Sequence, residues 1–193
     1  MFLHILFSTI FGIGLTAYFP AESDYSSCYG DENPTCDDNW TLLIRPQGGW
    51  CIQFVSGTVL YEVATTECEA LNATVSGIQY PSEIATMQSL YYAVYNVSAG
   101  GRVWIGGYRT NACLTSKLTT TCNQTNSFYW TDGFTTGTAG FVWGANQPDN
   151  DNSKGQLCPY LSLVMINGTL DDIPDVTGGN FGVICGKQAN NTS

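Results

Sequence analysis

The sequence has few basic residues, and this shortage excludes two classes of partner. Only 6 Lys and Arg stand against 16 Asp and Glu in 193 residues, for a formal net charge of -10. The basic residues form no run, so the chain lacks the positive patch of a protein that binds nucleic acid or an anionic membrane. An acidic surface suits contacts with cations or sugars instead.

Histidine is rarer still, which leaves little for catalytic or zinc chemistry. The single histidine, His4, lies in the apolar N-terminal stretch, and Cys-x-x-Cys spacing is missing. Asp171 and Asp172 are adjacent, and neighbours on a strand point apart, so they are poorly placed as the acid and base of a glycosidase. The sequence therefore predicts no catalytic residues and no enzyme.

Long apolar runs are missing except at the N terminus. Residues 1–21 are mostly apolar and end in small residues, as a cleaved secretory signal peptide does. An uncleaved membrane anchor is the alternative, but Gly12 and Gly14 interrupt the run and no basic flank follows it. We expect a secreted, extracellular protein with no membrane contact after signal cleavage.

Cysteine and Asn-x-Ser/Thr triplets are plentiful, which agrees with export. Eight cysteines in a short exported chain predict disulfides, because an oxidising compartment removes free thiols. Glycosylation is predicted at Asn39, Asn72, Asn96, Asn123 and Asn167.

One folded domain is predicted, at residues 36–188, after a polar N-terminal extension at 22–35 and before a tail at 189–193. Helical spacing runs from Val63 to Leu71 with Cys68 on the buried face. A second helix is predicted to start at Pro81, to end at Gly100-Gly101, and to bury on one side Ile84, Met87, Leu90, Tyr91 and Val94. Two helices followed by short strands predict an α+β fold. The predicted strands are 50–55, 102–107, 128–130, 141–143, 160–165 and 181–185.

One polar stretch, residues 143–152, gathers amide and carboxylate oxygens around Pro148. Together with 156–158 and the Asp171-Asp172 pair, it has the side-chain oxygens that a hard cation such as Ca²⁺ prefers. We therefore expect Ca²⁺ as the cofactor of this loop.

Several segments, taken in order, resemble a C-type lectin-like domain. They are Trp50-Cys51-Ile52, the helix with Cys68, Trp104-Ile105-Gly106-Gly107, Trp130-Thr131-Asp132-Gly133, Gln147-Pro148-Asp149, Gln156-Leu157-Cys158, Leu170-Asp171-Asp172 and Phe181-Gly182-Val183-Ile184-Cys185. The Thr-rich insert between Cys113 and Cys122 is similar to that of secreted nematode-type members. The resemblance implies two helices, two small and mostly antiparallel sheets, paired terminal strands, and a long loop that carries the ligand site.

The resemblance also implies three disulfides, joining Cys36 to Cys51, Cys68 to Cys185 and Cys113 to Cys122. In such domains the cysteine at position 158 bonds to one at position 175, where this chain has Asp175. Two readings stay open: Cys28 and Cys158 bond to each other, or one of them bonds another chain.

By position, the family's Ca²⁺ and sugar ligands correspond to Gln147, Asp149, Gln156, Asp171 and Asp172. The Gln-Pro-Asp order goes with galactose-type sugars in that family. We expect a secreted, Ca²⁺-dependent carbohydrate-binding protein that acts in glycan recognition or innate defence. The alternative is a metal-independent domain that binds an extracellular protein, because Gln156 replaces an expected Glu and the Cys158 disulfide is lost.

Overall fold

The computed structural model describes residues 33–57, 60–96, 100–151, 155–175 and 180–191. The described chain has two α-helices, α1 at Tyr61–Ala70 and α2 at Glu83–Tyr92. Its strands are β1 Pro34–Thr35, β2 Thr41–Arg45, β3 Gly48–Ser56, β4 Thr74–Val75, β5 Arg102–Arg109, β6 Phe128–Trp130, β7 Tyr160–Val164, β8 Thr169–Ile173, β9 Asn180–Gln188 and β10 Asn190–Asn191. The predicted signal peptide, most of the predicted extension and Cys28 lie outside these ranges. No helix within them is long and apolar enough to cross a membrane.

Most strands join one mixed sheet of eight strands. Its path runs β2-β3-β9-β5-β7-β8, with β4 paired to β9 and β6 paired to β5. The pairing of β5 with β9 is parallel and the other strand pairs are antiparallel. The α+β class and the pairing of the terminal strands β1 and β10 are confirmed. The two sheets are unequal, with eight strands and two.

Three disulfides tie the ends of the domain to its centre. Cys36 bonds to Cys51, Cys68 to Cys185, and Cys113 to Cys122, which confirms all three implied pairings. The second joins helix α1 to strand β9 across 117 positions of sequence, so it closes most of the domain into one loop.

Helix α2 packs its apolar side on the core. Ile84, Met87 and Tyr91 are buried, as predicted. The predicted burial of Val94 is wrong, because the helix ends at Tyr92 and Val94, beyond it, is 59% exposed. The glycines at 100 and 101 are therefore not the residues that end this helix.

Helix α1 covers the other side of the sheet with a narrow apolar stripe. Ala64 and Cys68 are buried next to Trp104, which confirms the predicted position of Cys68. Val63, predicted as part of the same pattern, is 42% exposed. The contact of α1 with the sheet therefore rests on Ala64, the Cys68 disulfide and the ring of Tyr61, which packs on Trp104.

The segment 141–143, predicted as a strand, is not one. Trp143 alone forms an isolated bridge, to Leu170. The aromatic rings instead stack on each other, Trp130 on Phe141 at 4.2 Å and Phe141 on Trp143 at 5.7 Å. Strand β7 pairs with β5 on one side and with β8 on the other. The central Asp171 and Asp172 of β8 hide its strand character in the sequence.

Candidate functional site

The long loop, defined here as residues 143–151 and 155–158, is anchored on strand β8. Leu170 donates a backbone hydrogen bond to the Val142 carbonyl and accepts one from Gly144, at 2.6 and 2.9 Å. The Gln147–Pro148 peptide bond is cis. The loop therefore starts from a fixed point at the edge of the sheet.

Gln147 and Asp149 use their side chains to hold their own loop. The Gln147 Oε1 atom accepts a hydrogen bond from the Asp149 backbone nitrogen at 3.0 Å. The Asp149 Oδ1 atom accepts one from the Asp151 nitrogen at 2.8 Å. Both side chains are half-buried, so their oxygens stabilise the turn after Pro148.

Asp172 is the buried centre of the site. Its carboxylate accepts hydrogen bonds from the backbone nitrogens of Asp149 and Asn150, at 2.8 and 2.9 Å. It is also ion-paired with the Arg109 guanidinium. Burial raises the pKa of Asp172, while Arg109 and the two backbone N–H groups oppose that rise. Its negative charge is thus already compensated within the chain.

Arg109, at the end of β5, joins three segments through one guanidinium group. Its Nε donates to the Cys158 carbonyl at 3.0 Å and its Nη1 to the Ser116 carbonyl at 3.3 Å, while Nη2 pairs with Asp172. The group lies 4.6 Å from the centre of the Phe128 ring, in reach of a cation–π contact. Arg109 itself is fully buried.

Asn150 is the second residue that organises the loop. Its side-chain nitrogen donates to the carbonyls of Leu114 and Ser116, and its side-chain oxygen accepts from the Cys158 nitrogen at 3.1 Å. It has a positive φ of 47°, which Asn tolerates better than most residues. Neither Arg109 nor Asn150 is among the ligand residues predicted from the sequence. An Arg closing an apolar strand, in a chain with so few basic residues, was the available signal.

Asp171 lies on the other face of β8 and has a different partner. Its carboxylate pairs with Arg102 at 2.5 Å. Burial raises the pKa of Asp171, Arg102 opposes the rise and the charge of Asp149 adds to it. The two neighbouring aspartates therefore do not converge, as the alternation of side chains along a strand requires.

The five predicted ligands do not all converge. Gln147, Asp149 and Asp172 meet around the turn after Pro148, whereas Asp171 pairs with Arg102 and Gln156 is exposed. Within the described ranges, no three His, Cys, Asp or Glu side chains group as a metal site requires. In this arrangement the set does not fit Ca²⁺, which needs six to eight convergent oxygens. Binding of Ca²⁺ and of sugar by these five residues stays a prediction.

Cys158 keeps a free thiol that is fully buried. Burial raises its pKa to about 12, with the nearby Asp172 carboxylate adding to the rise. Asp175, at the position of the absent cysteine, accepts a hydrogen bond from the Tyr61 nitrogen at 2.8 Å and so holds the start of helix α1. Cys28, the other cysteine in both readings of the unassigned thiols, lies outside the described residues.

The predicted glycosylation sites lie at the surface to different degrees. Four of the asparagines are exposed and Asn123 is half-buried. Both Asn123 and Asn167 accept hydrogen bonds from the Thr of their own triplets. Glycosylation at Asn39, Asn72, Asn96, Asn123 and Asn167 stays a prediction.

Comparison with known proteins identifies the same fold. The model of the family described as C-type lectin domain-containing protein 141/158 matches residues 44–188. A calcium-independent type II antifreeze protein is similar at 20% identity and a TM-score of 0.56, over 83% of this chain and 99% of that chain. The mouse scavenger receptor C-type lectin carbohydrate-recognition domain is similar at 18% identity and 0.54, over 80% and 99%. Identities this low show the fold alone. No curated protein sequence matches significantly.

Proposed function

Because the chain belongs to the C-type lectin domain-containing protein 141/158 family, we propose that it is a secreted, metal-independent binding domain for a protein partner. Domains of this family are generally binding domains without enzymatic activity. The three disulfides support an oxidising, extracellular location.

One observation carries the proposal: Arg109 supplies, from within the chain, the positive charge that gathers the long loop. The guanidinium neutralises Asp172, whose oxygens hold the backbone of Asp149 and Asn150. Any cation bound by the same carboxylate would lie a few ångström from the guanidinium. Two like unit charges at 4 Å repel by about 4 kcal/mol at an effective dielectric constant of 20, and a divalent ion by about twice that. The loop is therefore ordered without metal.

The surface around this centre suits a protein better than a sugar. Leu118 and Leu157 are 38% and 43% exposed. Leu118 is two positions from Ser116 and Leu157 is next to Cys158, and Arg109 donates hydrogen bonds to the carbonyls of Ser116 and Cys158. Exposed apolar side chains on a fixed frame are typical of the centre of a protein interface. They offer few of the hydrogen bonds that sugar hydroxyls require.

The proposal is tested by thermal unfolding of the full chain in chelator and in about 10 mM Ca²⁺. A cation bound a hundredfold above its dissociation constant would stabilise the folded state by about 2.7 kcal/mol. That corresponds to a rise in Tm of roughly 5 to 10 °C for a domain of this size. We expect a shift below about 1 °C, and equal rates of proteolysis in the long loop under both conditions.

The same measurement also tests the Ca²⁺-dependent carbohydrate binding that is expected from the sequence. A large Tm increase with Ca²⁺ that disappears in Asp149→Asn, together with Ca²⁺-dependent retention on galactose resin, would establish that function and overturn ours. Lys117→Met serves as a charge control, because its pair with Asp151 is exposed at the loop surface.

A further inference from the structure

A groove of about 760 Å³ lies on the other face of the sheet from Arg109, between helix α1 and strands β4 to β7. Tyr108 and Arg109 are consecutive on β5 and therefore project to opposite faces. Tyr108 lines the groove, whereas Arg109 points to the long loop. The groove is thus a site separate from the loop described above.

Four tyrosines form a continuous series of ring contacts along the groove. Tyr61 stacks on Tyr160 at 4.1 Å, Tyr160 meets Tyr108 edge-on at 5.4 Å, and Tyr108 lies 6.3 Å from Tyr129. The series begins against the buried Trp104 and ends at Tyr129, which is 51% exposed. The rings are thus held by one another, and the last offers much of its surface to solvent.

Three carboxylates share the groove, and no basic side chain of a described residue lines it. Glu62, Glu69 and Asp175 are lining residues, and none of them forms an ion pair with a described residue. Burial raises the pKa of the Tyr160 hydroxyl, and the charges of Asp175 and Glu62 add to the rise. The groove therefore combines neutral phenol rings with a negative field.

The described part of the chain offers no unpaired cation to fill the groove. All five described Lys and Arg side chains already pair with carboxylates elsewhere, namely Arg45 with Glu83, Arg102 with Asp171, Arg109 with Asp172, Lys117 with Asp151 and Lys187 with Asp37. A second copy of the chain carries the same formal net charge of -10 and is therefore repelled by an acidic groove. A different, basic molecule is the better source of the complementary charge.

We propose that the tyrosine groove binds a Lys- or Arg-bearing extended segment of a partner protein. An ammonium or guanidinium group over a tyrosine ring gains a cation–π contact, and a carboxylate beside it adds a charge-assisted hydrogen bond. The threonine and tyrosine hydroxyls of the lining can bind the peptide backbone. This inference rests on the proposed function as a protein-binding domain, and it assigns the partner's charge and a second surface.

The test measures fluorescence anisotropy of a labelled Gly/Lys/Arg nonapeptide with the full chain, in chelator and at low ionic strength. Its neutral counterpart has acetyl-lysine and citrulline in place of Lys and Arg. We expect only the basic peptide to bind. The Glu62→Gln/Glu69→Gln variant should weaken binding about five- to tenfold, and Tyr129→Leu about three- to tenfold.

Matched controls lie outside the groove, Glu67 on the same helix and Tyr80 in the turn before α2. Glu67→Gln also removes an exposed carboxylate from α1, and Tyr80→Leu removes an exposed tyrosine. Both should leave affinity unchanged within about twofold. Equal losses in Glu67→Gln and Glu62→Gln would show only diffuse attraction to an acidic protein and would overturn the proposal. Binding of a neutral oligosaccharide that depends on Tyr129, with no binding of the basic peptide, would overturn it in favour of a glycan groove.

Failure of this inference is distinguishable from failure of the proposed function. The peptide assay contains no metal and concerns the α1 face, whereas the Tm and proteolysis measurements report on the long loop. A Ca²⁺-stabilised loop with an intact peptide response would remove the first proposal and retain the second.

Discussion

Arg109 provides, from within the chain, the positive charge that pairs with the Asp172 carboxylate. Its guanidinium offers a flat array of N–H donors, and here these reach two carbonyls and one carboxylate that belong to three separate segments. A buried ion pair of this kind is not a large net source of stability, because both charges lose their water. Its main effect is to fix which segments meet.

Removing the guanidinium should therefore be costly, because it leaves the Asp172 carboxylate buried and unpaired. We expect Arg109→Met to lower the free energy of unfolding by about 3 to 5 kcal/mol, measured by chemical denaturation. Lys117→Met, which breaks an exposed pair of 3.5 Å, should cost no more than about 1 kcal/mol.

A double variant separates the cost of an unpaired charge from the loss of packing. Arg109→Met/Asp172→Leu removes both charges and should regain part of the stability lost in the single variant. If Arg109→Met costs no more than Lys117→Met, the guanidinium does not organise the loop and the proposed function loses its basis.

At this scale the sequence located the loop but not what holds it. Gln147, Asp149 and Asp172 do meet around the turn after Pro148, as their positions in the resemblance implied. The partner of Asp172 comes from β5, far away in sequence, and no local pattern links the two. Once strand β8 is known, the alternation of side chains along it explains why Asp171 faces away from Asp172.

At the scale of elements, strand β5 depends on a glycine for its close approach to β4. The Gly106 nitrogen donates to the Ser76 carbonyl at 2.8 Å, and a Cβ on Gly106 would lie 2.0 Å from the Val75 carbonyl oxygen. That oxygen belongs to backbone and cannot turn away. The glycine pair that follows the apolar start of β5 thus serves strand packing.

Gly106→Ala should lower the free energy of unfolding by about 3 kcal/mol or more, since the backbone itself must shift. Gly107→Ala is the matched control on the same strand. Its Cβ would meet the end of the Leu161 side chain at 2.3 Å, which can change rotamer, so we expect a cost of about 1 to 2 kcal/mol. Denaturation curves that rank the two variants in the reverse order would contradict this account of β5.

The elements whose apolar pattern extends over several residues were predictable, and the others were not. The periodic spacing of Ile84, Met87 and Tyr91 identified α2 correctly. The predictions of the helix end and of one short strand were wrong. Val94 is apolar but lies beyond the helix. Phe141 and Trp143 are held by ring stacking and not by a strand ladder. Tertiary contacts decide where a helix ends and whether a short apolar segment forms a strand, and the apolar periodicity of the sequence does not reveal those contacts.

At the scale of the whole molecule, basic residues are few, and the described ones pair with carboxylates inside the domain. Each described basic side chain is committed to a carboxylate of the same domain, so the excess acidic residues remain to set the field outside. The fold and the disulfide pairing followed from the order of short motifs along the chain. The surface left for a partner, the tyrosine groove, draws residues from α1, β5, β6 and β7 and has no contiguous motif.

The disulfides should contribute to stability in the order of the loops they close. Closing a loop in the unfolded chain removes entropy that grows with loop length, to about 3 kcal/mol for 15 residues and about 4.7 kcal/mol for 100. Cys68 and Cys185 are 117 positions apart, whereas Cys113 and Cys122 are 9 apart. We expect Cys68→Ala/Cys185→Ala to lower the free energy of unfolding by about 5 kcal/mol and Cys113→Ala/Cys122→Ala by about 2.5 kcal/mol.

The smaller loop contains Ser116, whose carbonyl accepts a hydrogen bond from Arg109. If opening it costs as much as losing the long-range disulfide, the Arg109 centre depends on that insert, and the variant should then also show faster proteolysis in the long loop.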